Sequence, residues 1–135
     1  MAMVSSVMIG GALELLDPDT YFVGEATYYA LNAATAQEPR LVDMAARYPA
    51  YVGTTPQARK IPMLVMLLAQ TAAQRALDYA ALVAACQTTG LVSLQWTEGL
   101  VTRRYWCHVD SIEPSMWMHR AVVTLTAPNP DPEVI

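Results

Sequence analysis

The stretch Leu91–Ala127, LVSLQWTEGLVTRRYWCHVDSIEPSMWMHRAVVTLTA, decides the fold. It contains three alternating segments. In Leu91–Trp96, the side chains of Val92, Leu94 and Trp96 share one face, and Thr97-Glu98-Gly99 follows as a turn signal. Val101–Ile112 sets Val101, Arg103, Tyr105, Cys107 and Val109 together before a second turn signal at Glu113-Pro114-Ser115. Trp117–Thr126 aligns Trp117, His119, Ala121, Val123 and Leu125. A period of two is the mark of a strand, because successive side chains leave opposite faces. The stretch therefore predicts a three-stranded antiparallel meander. Ala127–Pro132 ends it, since alternating prolines cannot extend a ladder.

Upstream of the meander lies a helix pattern. Thr71 is a candidate N-cap, and Ala72, Ala73, Ala76, Leu77, Ala80, Val83 and Ala84 recur at helical spacing. These residues predict a helix from Ala72 to about Gln87, stopped near Gly90, with an alanine-lined face against a sheet. Gln74, Arg75 and Asp78 fall on the opposite, solvent face, where Arg75 and Asp78 can pair weakly. Before the helix, Arg59–Leu68 is apolar from Ile61 onward and predicts a strand buried on both faces. Nearer the start, Val4–Ile9 predicts a strand running into Gly10-Gly11, and Asp17-Pro18-Asp19 predicts a turn. Tyr21–Val23 and Thr27–Leu31 are short and aromatic, as strands are. Glu38–Tyr48 is weakly periodic and fits a loop or edge strand, with a helix over Leu41–Arg47 open from composition alone.

Composition narrows the function classes. The chain has 135 residues, 54% of them hydrophobic and 15% charged, and a net charge of −4. One domain of that size buries a sizeable core; a disordered chain needs the reverse balance. Of the eight basic residues only Lys60 is a lysine, so no basic footprint for a nucleic-acid backbone is present. The longest apolar run, Ile61–Ala69, is too short for a spanning helix, which needs about 20 residues. No membrane partner and no signal peptide are expected, and Cys86 and Cys107 are expected as free thiols. Low charge in such a domain suggests a surface covered by partner subunits.

The residues carry no catalytic pattern. Cys107 and His108 are adjacent on one strand, so they point to opposite faces and cannot act as nucleophile and base. His108, Asp110 and His119 could approach one another in the meander but lack the further ligand and second shell that a metal needs. Neither metal nor cofactor is expected. Asp17 and Asp19 are turn residues. Trp96, Tyr105, Trp106 and Trp117 form an aromatic group suited to the core or to subunit contacts. Arg103-Arg104 places one guanidinium on each side of the sheet, suited to an ion pair between subunits or to a solvated rim.

Arg59–Val65, the helix, Gly90–Trp96, Arg103–Val109 and Ala121–Pro130 follow one another in an order that resembles the N-terminal domain of distal tail proteins of long-tailed phages. The resemblance spans about Tyr21–Val134. It implies an α+β fold, an antiparallel β-sandwich or split β-barrel with one flanking amphipathic helix. It also implies a non-enzymatic virion protein at the tail tip, assembled in the host cytoplasm. Such proteins form a homo-oligomeric ring, usually a hexamer, between the tail tube protein above and the baseplate hub protein below. DNA passes through the channel without specific binding. Longer members carry a second, carbohydrate-binding-like domain; here a single domain, 1–135, is expected. Arg103, Arg104, Trp96, Trp106, Trp117 and Lys60 are the expected interaction residues, and the first stretch, Met1 to about Thr55 and including Gly53–Gln57, is expected to contact neighbouring subunits or rings. A tail tube or tail terminator subunit is the alternative, and a small metal- or ligand-binding barrel a more distant one.

Overall fold

The computed structural model describes residues 4–24, 27–28, 31, 37–43, 49–56, 58–87, 90–115 and 118–135. The elements in chain order are β1 (Val4–Ile9), β2 (Leu13–Glu14), β3 (Tyr21–Val23), β4 (Gln37–Asp43), β5 (Pro49–Pro56), β6 (Arg59–Leu67), α1 (Ala72–Cys86), β7 (Val92–Glu98), β8 (Val101–Ser115), β9 (Arg120–Ala127) and β10 (Glu133–Val134). Eight strands join in the order β2-β1-β7-β8-β9-β6-β3, with β10 added to β8, while β4 and β5 pair only with each other. All pairings are antiparallel. The result is an α+β split barrel, and the predicted meander β7-β8-β9 is its centre.

β8 belongs to two ladders. Its first half pairs with β7, from Val101 opposite Glu98 to Cys107 opposite Val92. Its second half pairs with β9, from His108 opposite Thr126 to Ser115 opposite Arg120. The register slips between Val109 and Ser111, leaving Asp110 as an extra residue. Such a bulge bends the strand and resets which side chains face inward. Tyr105, Cys107 and Val109 turn to the core before the bulge, and Ile112 after it.

This reset extends β8 through Glu113, Pro114 and Ser115, which the sequence reads as a turn. The chain reverses later, through Met118 at φ 63° and His119. β9 therefore starts at Arg120 rather than Trp117, and Trp117 lies outside the described residues. The β7–β8 turn also falls one residue late, at Gly99 and Leu100.

The helix lies where expected but is rotated. Thr71 caps it, its Oγ1 accepting the Gln74 amide at 3.2 Å, and Gln87 ends it by donating its amide to the Val83 and Ala84 carbonyls. Its buried residues are Arg75, Asp78, Leu82 and Cys86. Ala72, Ala73, Ala76, Leu77, Ala80 and Ala84, the expected core face, are exposed. The physical reason is size. Each alanine withdraws one methyl from water, whereas Leu82 and Cys86, with Tyr79 half-buried beside them, join the hydrophobic core. Arg75 and Asp78 do not pair with each other: Arg75 Nη1 donates to the Ala69 carbonyl at 3.0 Å, and Asp78 Oδ1 accepts from Gln74 Nε2 at 2.9 Å.

Two strand readings also change. β6 is buried on one face only, through Ile61, Met63, Val65 and Leu67, while Lys60 and Pro62 are exposed. Its neighbours are antiparallel, so no crossover helix covers its outer side. Pro62 is tolerated because β3 reaches only Val65–Leu67, leaving that part of β6 with β9 alone. Thr27, Tyr28 and Leu31 are helical, not extended. Thr27 ends the β3–β6 ladder: its Oγ1 accepts the Leu64 amide at 3.3 Å, the amide that a longer β3 would have taken. Leu41–Asp43 belong to β4, and residues 44–48 lie outside the described residues.

Gly10 shows how closely α1 approaches the sheet. At φ 69°, a Cβ there would stand 2.8 Å from the Ala85 carbonyl oxygen; at Gly11, φ 79°, the nearest atom would be Ser93 Oγ at 3.9 Å. Gly10→Ala should lower the unfolding free energy by about 2–3 kcal/mol, from a left-handed backbone cost of about 1–2 kcal/mol plus overpacking of about 1 kcal/mol. Gly11→Ala should lose only the backbone part. Urea unfolding compares the two, and equal losses would show that the Ala85 contact contributes nothing.

Candidate functional site

Around β8 the polar and aromatic side chains fall into three groups. The first is buried. Trp96 and Tyr105 stack with ring centroids 5.1 Å apart. The Tyr105 hydroxyl donates to the Leu31 carbonyl at 3.0 Å, and the Arg59 guanidinium lies 5.5 Å from the Tyr105 ring centroid. Arg59 Nε also donates to the Pro130 carbonyl at 3.0 Å. Tyr105 thus ties β7, β6, the helical Leu31 and the segment after β9 to one point. Burial pushes the Tyr105 phenol above its ordinary value, against the opposing pull of Arg59. Trp96 is 1% exposed, so in this chain it is a packing residue rather than a surface contact.

The second group is at the β10 edge. Glu133 stands opposite Arg104 and Val134 opposite Arg103. One Glu133 oxygen accepts from Arg104 Nη2 at 3.1 Å and the other from Trp106 Nε1 at 2.5 Å. The Arg104 guanidinium stacks over the Trp106 ring, 4.8 Å from its centroid. The hydrogen bonds from Arg104 and then Trp106 hold the Glu133 carboxyl below its ordinary value.

The third group surrounds the bulge. Lys60 Nζ donates to Thr126 Oγ1 at 2.8 Å and reaches Asp110 Oδ2 at 3.4 Å. Thr126 Oγ1 donates to the same Asp110 oxygen at 2.5 Å. The Thr126 hydrogen bond, followed by the Lys60 charge, lowers the Asp110 carboxyl. The group is exposed, and its role is to hold the bulge in register.

Four expected interaction residues, Lys60, Arg103, Arg104 and Trp106, are thus at or near the surface around β8, Trp96 is in the core, and Trp117 lies outside the described residues. Among the expected neighbour contacts, Gly53–Pro56 belong to β5 and Gln57 lies outside the described residues. Sequence reading missed Glu133, whose signal was faint: one acid after the proline run, with no periodicity to place it.

The chemistry weighed from the sequence has no constellation here. His108 faces Thr126, at one end of β9, and His119 precedes Arg120, at the other. That puts them about 20 Å apart at a strand rise of about 3.4 Å. Among the described residues no three His, Cys, Asp or Glu side chains converge as metal ligands. Asp17 Oδ1 accepts the Asp19 amide at 3.0 Å, the local bond of a turn aspartate. Cys107 is fully buried while His108 is exposed. Burial pushes the Cys107 thiol up to about 12 and the Cys86 thiol up to about 11.

The chain was compared with known proteins. No family model and no curated protein matches it. Among solved structures it is similar to the crystal structure of SPP1 Dit (gp 19.1), described as a paradigm of the hub adsorption apparatus in phages infecting Gram-positive bacteria, with a TM-score of 0.68 and 13% sequence identity. The match covers 93% of this chain and 50% of that one, so the chain spans about half the length of SPP1 Dit. The likeness establishes a shared fold.

Two outcomes follow from these groups. Both cysteines should resist a water-soluble disulfide reagent at pH 7, since the reactive thiolate is suppressed, and both should react once urea unfolds the chain; rapid labelling of native protein would contradict the burial. A carboxyl whose folded value is depressed contributes stability above its unfolded value and loses it as pH falls through the folded one. Acid should therefore loosen β10 only as pH falls below the ordinary glutamate range. Followed by NMR, the Trp106 indole N–H should shift with an inflection below the ordinary glutamate range, and Arg104→Ala should move that inflection upward. An inflection in the ordinary range in both proteins would mean that Glu133 is unbound in solution.

Proposed function

We propose that this chain is a structural virion protein of a phage tail, a subunit of the hub at the tail's distal end. Its fold likeness to SPP1 Dit across 93% of the chain carries the reading. In this reading six copies close into a ring between tail tube and baseplate hub, around a channel through which DNA passes.

The chemistry of the chain supports it. The Trp96–Tyr105 stack, the Arg104–Glu133–Trp106 group and the Lys60–Thr126–Asp110 group each join neighbouring strands, and the two thiols are buried. A net charge of −4 with a single lysine keeps DNA from adhering to a wall made of such subunits. The helix turns alanines outward, and edge strands remain unpaired; both are surfaces that assembly would cover.

Native mass measurement tests the proposal. The expected result is a closed species of six times 14.8 kDa, formed without added ligand or metal. A monomer at every concentration tested would contradict it.

A further inference from the structure

We infer that copies of this chain meet through two faces, the outward side of α1 in one copy seated on the outward side of β6 in the next. The inference deepens the ring proposal and rests on it.

The two halves of the sheet differ on their outer sides. Where β1, β7 and the first half of β8 run together, the outward rows are polar. Ser6, Thr97 and Thr102 form one, and Gln95 and Arg104 with Met8 form the next. That is the ordinary alternation of an antiparallel sheet with one solvated face. β6 breaks it. Pro62, Leu64 and Met66 point outward, away from the buried Ile61, Met63, Val65 and Leu67. Val122 of β9 stands opposite Leu64, and Phe22 of β3 opposite Met66. Lys60, Asp110, Glu113 and Arg120 border this apolar stripe. A strand apolar on both sides belongs in a sheet covered on both sides, yet in the single copy Pro62 is exposed and Phe22 is 51% exposed.

α1 has the matching surface. A helix that faces water carries its charges outward. In Ala72–Cys86 the charged residues, Arg75 and Asp78, are buried. Leu77, 65% exposed, lies in water with Ala73, Ala76, Ala80 and Ala84. An occupant of the β6 face has to be free of charge along its length, because a charge buried there without a partner is costly. The outward side of α1 meets that condition for its full length, and a helix laid on a sheet is a common way to close a core.

The pairing follows from counting faces. Two-fold contacts would join α1 to α1 or β6 to β6, and each would leave the other face in water. One heterologous contact, α1 on β6, covers both faces of every copy. β3 separates the two faces, since it pairs with β6 and its Tyr21 hydroxyl donates to the Asp78 carbonyl at 2.6 Å. Each copy can therefore use both faces together, and repeating the contact through a closing rotation generates a ring.

Single-cysteine variants separate the outcomes. Leu77→Cys marks α1 and Pro62→Cys marks β6; both positions are exposed, and thermal unfolding checks that each variant folds. Ala80→Cys with Thr124→Cys, the residue opposite Pro62, is the second pair. The native thiols are buried and stay out of the reaction. Pro62 lies about 17 Å along the strand from Leu67, the partner of Tyr21, so a short bis-maleimide cannot join the two marks within one copy. With that reagent, co-expressed single variants should give covalent dimers that neither gives alone, and the double variant should give a ladder of oligomers. Rings that form without this cross-link, or cross-links from either variant with itself, would overturn the contact while leaving the ring proposal standing. Protein that stays monomeric would defeat both.

Discussion

β8 has to serve two ladders, and the fold depends on how it does so. A fifteen-residue strand in one flat sheet would leave half its length without a core. The bulge at Asp110 solves this by bending the strand and changing which residues turn inward. On one side of the bend Tyr105 gathers Trp96, Arg59 and the Leu31 carbonyl. On the other, Ile112 packs under β9. Lys60 and Thr126 hold Asp110 itself, so β6 and β9 fix the place of the bend. A stack such as Trp96–Tyr105 contributes about 0.5–1.5 kcal/mol beyond its buried area. Its greater consequence is positional, since the same tyrosine also joins segments distant in sequence.

The meander was legible because alternation over six or more residues is a strong signal. Thr71, followed by helical spacing, likewise marked the start of α1. What could not be read was orientation. Spacing shows that a helix has two faces, and hydropathy alone puts the alanine face inward and Gln74, Arg75 and Asp78 outward. The polar face went inward because Ala69, Gln74 and Tyr21 supply partners for it, and those partners appear only in three dimensions. The bulge was hidden for a similar reason. Glu113-Pro114-Ser115 has turn composition, and only the pairing with β9 overrides it. Of the candidate interaction residues, Lys60, Arg104 and Trp106 were findable as isolated polar or aromatic residues on strands. Their partners Thr126 and Glu133 were not, because a partner is a property of register.

The surface completes what the core begins. Rotating α1 to bury Leu82 and Cys86 leaves alanines and Leu77 outside. That arrangement does not help an isolated molecule in water, and it is accounted for if copies cover one another.

Electron cryomicroscopy of the purified, concentrated protein tests that account most directly. Projection averages should show a rotationally symmetric ring with an open centre. Compact particles without symmetry, or a ring with a filled centre, would contradict it.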